Sequence, residues 1–211
     1  MAAGYDNTIW FYERLSKLVF GQAQVRAQEH FLNLIEPGSN ILIIGGGTGQ
    51  ILESISRLYP SGLHITYVEV SPGMMALSRK RNVAHNEVEF ITDDIARITC
   101  NRKFDVVITA FLFDNFSDED LSAVFPLIDQ WVKPGGLWLD TDFQLTGPLW
   151  QKLMLKTMYL FFGLMKAVEV NKQPDTEGVF KHHKYSMLTL KEFYGRFMGA
   201  RVYKKSILQL S

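Results

Sequence analysis

Ile41-Leu42-Ile43-Ile44-Gly45-Gly46-Gly47-Thr48-Gly49-Gln50-Ile51-Leu52 joins an apolar run to a cluster of glycines and a second apolar pattern. A short apolar run of this kind is a buried parallel strand. It breaks at the glycines and resumes with Ile51, Leu52, Ile55 and Leu58 at helical spacing, so the local order is strand, glycine turn, helix. Glycines tolerate positive φ and remove side chains, which lets the backbone approach a ligand. The helix start behind them offers unpaired N–H groups. The pattern is G-x-G-x-G, on Gly45, Gly47 and Gly49. The dinucleotide fingerprint requires a third small residue where Gln50 stands, so that match fails and a nicotinamide dehydrogenase is disfavoured. A glycine-rich tight turn without a ligand is the plain alternative.

Working outward, Tyr59-Pro60-Ser61-Gly62 makes a turn, and Leu63 to Val70 reads as a second buried strand carrying Glu69 near its end. An acid about 20 residues beyond such a turn is placed to bond a ribose diol. Ser71 is a good N-cap and Pro72 suits the first helical position, so a helix is expected over 72–83. Val88 to Thr92 is a third strand, ending at Asp93-Asp94. Phe104 to Phe113 is a fourth. Ser117 to Asp120 is a capping box opening a helix over 118–131, and Lys133-Pro134-Gly135-Gly136 is a turn before a fifth strand, Leu137 to Phe143. Strands alternating with helices predict an α/β fold. The expected form is a three-layer, doubly wound, mostly parallel sheet in one domain.

In this order and spacing the chain resembles the class I S-adenosylmethionine-dependent methyltransferases, over about residues 38 to 143. The resemblance is carried by Ile44 to Gly49, Tyr67-Val68-Glu69-Val70-Ser71-Pro72-Gly73-Met74-Met75, Glu89 to Ile95, Lys103 to Ile108 and Trp131 to Gly136. It implies a Rossmann-like methyltransferase fold with S-adenosylmethionine as cofactor. It further implies cofactor contacts at Gly45, Gly46, Gly47, Gly49, Glu69, Val70, Met74, Asp94, Ile95, Ala110 and Phe111. Of these, Asp94 would bond the adenine amino group, Ile95 would pack by the ring, and Ala110 and Phe111 would lie near the methionine part. One departure stands out: the acid that the family often carries two residues before the first glycine is Ile43 here.

Residues 5–36 read as two helical pieces broken near Gly21. Tyr12 to Gly21 resembles the N-terminal region of ubiquinone/menaquinone-type C-methyltransferases, which implies a helical cover over the cofactor with Tyr12 as a contact; an amphipathic helix merely closing the sheet is the alternative. The single domain thus divides into a cover (1–37), a cofactor-binding core (38–143) and a substrate-side portion (144–211).

Twenty-two basic and 22 acidic side chains cancel, which argues against an extended nucleic-acid surface. One cysteine, Cys100, rules out intrachain disulfides and a cysteine-built metal site, and it suits a reducing cytoplasm. The N-terminus lacks the pattern of a signal peptide. Residues 149–168 are strongly apolar but interrupted by Lys152, Lys156 and Lys166, so no stable membrane insertion is expected. Core packing, a homodimer face and a surface for lipid-like substrates compete there.

No catalytic residue is fixed by the pattern. Asp142, at the end of the fifth strand, is a general base or a cap. His182 and Tyr185, within Val179 to Met187, are general bases or exposed strand or loop residues. Phe111, Phe113 and Phe116 line an apolar acceptor pocket or belong to the core. Asp93-Asp94 has no further nearby ligands, so no metal is expected. Thr189-Leu190-Lys191-Glu192 reads as a capping box opening a last helix, followed by a strand over 200–210. A seventh strand, if present, would come from about 179–187.

The expected activity is methyl transfer to a small-molecule acceptor, apolar or aromatic. Two alternatives are kept. A spermidine-synthase-like aminopropyltransferase shares the Ile-Gly-Gly-Gly turn but carries an acid where Thr48 stands. The other is a cofactor-binding module without turnover.

Overall fold

The computed structural model describes residues 19–164 and 174–207, and the side chains of 158–164 are not among those described. In chain order the elements are α1 (Ala23–Glu29), β1 (Asn40–Ile44), α2 (Gln50–Leu58), β2 (Ser61–Val68), α3 (Pro72–Ser78), β3 (His85–Ile91), β4 (Phe104–Ala110), α4 (Asp118–Asp129), β5 (Val132–Phe143), α5 (Leu149–Leu164), α6 (Thr176–His182), β6 (Tyr185–Phe193) and β7 (Met198–Lys205).

The strands form one seven-stranded sheet in the order β3-β2-β1-β4-β5-β7-β6. The first five run parallel, and β7 is antiparallel to both neighbours. The order reverses between β1 and β4, and open α/β sheets bind ligands at such a switch point, beyond the carboxyl ends of the strands.

Side chains alternate across each strand and so feed two cores. Leu42, Ile44, Val68, Val107 and Trp138 meet Leu121, Phe125 and Ile128 of α4 and Phe180 of α6. Ile41, Ile43, Ile65, Tyr67, Val106, Ile108 and Leu139 meet Ile51, Leu52 and Ile55 of α2. Each such side chain, fully buried, contributes about 1.5–3 kcal/mol. The expected three-layer arrangement is therefore present.

Local signals were followed in several places. The chain breaks at Gly21 with φ +58°. Ser71 caps α3 by accepting the Met74 amide, and Ser117 with Asp120 forms a reciprocal capping box on α4. Phe20, ahead of α1, packs on Phe143, Tyr194 and Phe197 over the carboxyl edge of the sheet.

Elsewhere tertiary structure overrode the local pattern. Thr189–Glu192 is not the start of a helix: it lies in β6, where Thr189 pairs with Val202 and Lys191 with Ala200. Strand pairing along β7 satisfies backbone groups that one local cap would have left open. Val179–His182 is not strand but helix, with Asp175 capping α6 by accepting the Gly178 amide. The seventh strand is therefore present at 185–193, overlapping the expected range only at 185–187. α3 ends at Ser78 rather than near 83, and β4 ends at Ala110 because Phe111 turns to φ +52°. Residues 133–136 are an excursion inside β5, since Phe104 pairs with Val132 but Val106 with Leu137.

Candidate functional site

The glycine turn connects the end of β1 to α2 at the switch point, and its glycines have different duties. A Cβ on Gly46 would lie 2.4 Å from the Tyr67 ring, and one on Gly49 would lie 2.7 Å from Ser78 Cβ. These two glycines are required by packing within the fold. Gly47 has φ +62°, and a Cβ there would meet only Met74 Sδ at 3.9 Å. Space lies open in front of Gly47, which is where a ligand can approach the backbone. A Cβ on Gly45 would meet Leu112 Cδ1 at 2.9 Å, so the turn after β4 abuts the glycine turn.

Glu69 follows β2 and is buried. Its Oε2 accepts the Gly47 amide at 2.9 Å, and its Oε1 accepts the Ser71 amide at 2.9 Å. Burial pushes the carboxyl above its ordinary value, while the amides of Ser71, Gly47 and Val70 pull it back. Beside it the Tyr67 hydroxyl donates to the Gly47 carbonyl at 3.0 Å. Arg81 clamps the turn from outside: Nε donates to the Thr48 carbonyl at 2.8 Å, and the guanidinium meets Glu53 at 3.5 Å.

Val70 is half exposed beside Glu69, an apolar surface at the strand end. Met74 is buried in the first turn of α3. Asp94 is exposed; one oxygen accepts the Ala96 amide at 3.0 Å and so caps the short 3-10 turn that carries buried Ile95. Ala110 and Phe111 end β4 near the glycine turn, and the Phe111 amide donates to Thr141 at 2.7 Å. The structure thus gathers Gly45, Gly46, Gly47, Gly49, Glu69, Val70, Met74, Ala110 and Phe111 at one edge of the sheet. Tyr12 lies outside the described residues.

A second group occupies the same edge farther along, on the α4–α6 side. Asp140, Asp142 and Asp114 are all buried. Thr109 donates to Asp140 at 3.0 Å, and Arg201 faces Asp140 at 3.8 Å. Asp142 accepts the amides of Asp114 at 3.0 Å and Phe143 at 2.8 Å. Burial is the first cause that raises all three carboxyls, Asp114 to about 7 and Asp140 to about 6, with Asp142 well above its ordinary value. Mutual repulsion adds to it for Asp142 and Asp114, while Arg201 counters it for Asp140.

These carboxylates wall a cavity of about 190 Å³ together with Phe143, Gln144, Leu145, Arg201, Tyr203 and Glu177. A larger hollow of about 420 Å³ lies under β1–β3, walled by Leu42, Val68, Ile91, Ile98, Phe104 and Trp131, away from the glycine turn.

The remaining candidates separate. Tyr185 opens β6 opposite Lys205, at the edge remote from the glycine turn. It is buried rather than exposed, and its hydroxyl donates to Asp129 at 2.8 Å. Burial, then the Asp129 charge, pushes the phenol up, which makes it a poor base. His182 is exposed at the far end of α6. Asp142 alone of the three general-base candidates sits at the site edge. Phe113 is wholly buried and belongs to the core, whereas Phe111 packs on Phe143 with ring centroids 4.9 Å apart. Trp150, Leu149 and Leu153 of α5 are exposed, while Gln151 and Leu155 face inward.

Sequence reading missed Arg81, Tyr67, Asp140, Arg201 and Tyr203. Arg81 lies in a short basic run, Ser78 to Arg81, whose local pattern is that of a solvated helix end. Nothing local marks Arg201 or Tyr203, which reach the site only because β7 docks beside β5. Among the described residues no helix is long and apolar enough to cross a membrane, and no cluster is suited to a metal.

Residues 41–136 match a family model described as a methyltransferase domain. The malonyl-[acyl-carrier protein] O-methyltransferase of Priestia megaterium is 31% identical over 139 residues, 66% of this chain and 49% of that protein. The ubiquinone/menaquinone biosynthesis C-methyltransferase of Vibrio parahaemolyticus is 27% identical over 113 residues, 51% of this chain and 42% of that protein. The chain thus matches less than half the length of these relatives. The crystal structure of human N-acetylserotonin methyltransferase with S-adenosylmethionine superposes with a TM-score of 0.66 at 19% identity, covering 94% of this chain and 55% of that one.

Proposed function

We propose that this chain, whose residues 41–136 are a methyltransferase domain of the class I S-adenosylmethionine-dependent family, transfers a methyl group to a small-molecule acceptor. The observation that carries this is the buried Glu69 carboxylate held against Gly47, with open space in front of that glycine. The residues fit the cofactor. Oε2 of Glu69 accepts the Gly47 amide and Oε1 the Ser71 amide, and a carboxylate has further lone pairs for a ribose hydroxyl. Val70 offers an exposed apolar surface for the adenine, and Asp94 has an oxygen left for its amino group. Gly47 and Phe111 border the space for the methionine part.

When bound, the cofactor supplies an electrophilic methyl on sulfonium, which leaves with breakage of its S–C bond as the acceptor–C bond forms. The chain's residues orient the two reactants and keep water out, so no catalytic triad is needed. Phe111 is half-buried at the site edge, packed on the buried core cluster of Phe20, Phe143 and Phe197, and its ring supports an acceptor with an apolar or aromatic body. The aminopropyl-transfer alternative gains no support, because Thr48 stands where an acid is required and is bonded by Arg81.

Calorimetric titration with S-adenosylmethionine and S-adenosylhomocysteine, with NADH as control, tests this reading. Micromolar binding of both sulfur compounds is the expected result, and no binding of either overturns it. Binding with no transfer to amines, carboxylates or phenolic rings would favour a module without turnover. Leu149, Trp150 and Leu153, exposed on α5, also support self-association through the described part of the 149–168 stretch, whose last residues, 165–168, lie outside the described residues. Sedimentation of the full chain as a monomer at about 100 μM would remove that reading.

A further inference from the structure

Among the described residues, the non-glycine positions with positive φ are Ala84, Phe111, Lys184, Tyr194 and Arg196. Ala84 and Lys184 immediately precede β3 and β6, and Tyr194 and Arg196 lie between β6 and β7. Phe111, at φ +52°, instead follows the carboxyl end of parallel strand β4, beside the glycine turn. A side chain of this bulk is strained in the left-handed region, and such strain persists only where the surroundings impose it.

Those surroundings centre on Asn115, which ends the short 3-10 turn Phe113–Asn115. Its side-chain amide donates to the Phe111 carbonyl at 2.9 Å, to the Leu112 carbonyl at 3.3 Å and to Asp114 Oδ1 at 2.7 Å. All three partners are acceptors, so only the amino end of that amide can face them. The Asn115 backbone amide also donates to the Leu112 carbonyl, at 3.2 Å. From the other side, the Phe111 amide donates to the Thr141 carbonyl at 2.7 Å, and Asp142 accepts the Asp114 amide at 3.0 Å. β5 thus anchors the turn by its amides, and Asn115 ties the carbonyl of the strained residue back to it.

The parts held in this way border the site. Leu112 Cδ1 stands 2.9 Å from where a Cβ on Gly45 would lie. Half-buried Phe111 packs its ring on Phe143, with centroids 4.9 Å apart. A turn that relaxed at Phe111 would move that ring and shift Leu112 against the glycine turn.

We infer that Asn115 is a positioning residue, which holds Phe111 in the left-handed conformation and so fixes the wall that meets the methionine end of the cofactor. The inference rests on the methyltransferase reading of that site. Asn115 acts on the cofactor only through Phe111 and Leu112. Without its donors the turn divides between strained and relaxed conformations, and affinity falls by the fraction of chains no longer competent to bind.

S-adenosylhomocysteine binding to the full chain, measured by calorimetry well below the melting temperature, tests this. Asn115→Ala should weaken binding about fivefold. Asn115→Ser keeps one donor for the carbonyl four residues back and should recover most of that loss. Phe111→Gly removes the ring and weakens binding by itself, but glycine adopts positive φ freely. Adding Asn115→Ala to Phe111→Gly should therefore change affinity by less than about twofold. Where Asn115→Ala does not fold, Asn115→Ser carries the same comparison, with a loss of about twofold that Phe111→Gly abolishes. A residue that only stabilised the fold would lower the melting temperature when replaced and leave affinity unchanged. That result, or an equal loss with and without Phe111→Gly, overturns the inference while the methyltransferase reading stands. Absence of binding by the unaltered chain overturns both.

Discussion

Glu69 Oε2 accepts the Gly47 amide at 2.9 Å, so the acid after β2 fixes the conformation of the turn after β1. The other oxygen holds the Ser71 amide at the start of α3, and one carboxylate thereby braces two adjacent loops.

Glu69→Gln replaces one acceptor with a donor that faces an N–H group and removes the charge. S-adenosylhomocysteine binding should fall about tenfold, or roughly 1.4 kcal/mol, by calorimetry. The lost desolvation penalty offsets part of the lost hydrogen bond, so thermal stability should move less than binding does.

Gly46→Ala and Gly47→Ala should fail in different ways. The Gly46 Cβ would strike the Tyr67 ring at 2.4 Å, so Gly46→Ala should destabilise by about 1–3 kcal/mol in denaturant titration. Gly47→Ala has room, and its positive φ costs only about 1 kcal/mol. That variant should fold and yet lose cofactor binding, since its methyl group occupies the approach. Equal loss of stability in the two variants would contradict the division of labour between these glycines.

Arg81→Ala removes the donor to the Thr48 carbonyl and leaves Glu53 without its cation. A loss of about 1 kcal/mol in stability is expected. Cofactor binding should weaken a few-fold because the turn is less tightly held.

The carboxyl group at β4 and β5 makes stability depend on pH. Asp114 and Asp140 have folded values of about 7 and about 6, raised first by burial above ordinary values near 4. The folded state therefore binds more protons than the unfolded state between about pH 4 and 7. Stability contributed by these groups falls as pH rises through that window. The ligand-free chain should melt at a higher temperature at pH 6 than at pH 8, and Asp114→Asn should flatten the difference.

His182→Ala and Tyr185→Phe test the placement of the two rejected bases. Both residues lie at the edge remote from the glycine turn, so cofactor binding should be unchanged in each. Tyr185→Phe should cost about 1 kcal/mol in stability, because the Asp129 hydrogen bond is lost inside a buried cluster.

The β1–glycine turn–α2 unit, the acid at 69, the caps at Ser71 and Ser117, and with them the alternation of strand and helix through the parallel core, were legible in the chain's local pattern. These features rest on contacts between near neighbours in the chain: apolar runs, conformational freedom at glycine, and side chains that bond amides two or three residues away. Tertiary structure alone decided the rest. It made strand of Thr189–Glu192, because pairing with β7 outweighs one capping signal. It removed Tyr185 to the opposite edge and turned Gly46 and Gly49 into packing residues by bringing up Tyr67 and Ser78. It also assembled Asp114, Asp140, Arg201 and Tyr203 around one cavity. Residues nearly 90 positions apart meet there only when antiparallel β7 inserts beside β5, and no local spacing encodes that meeting.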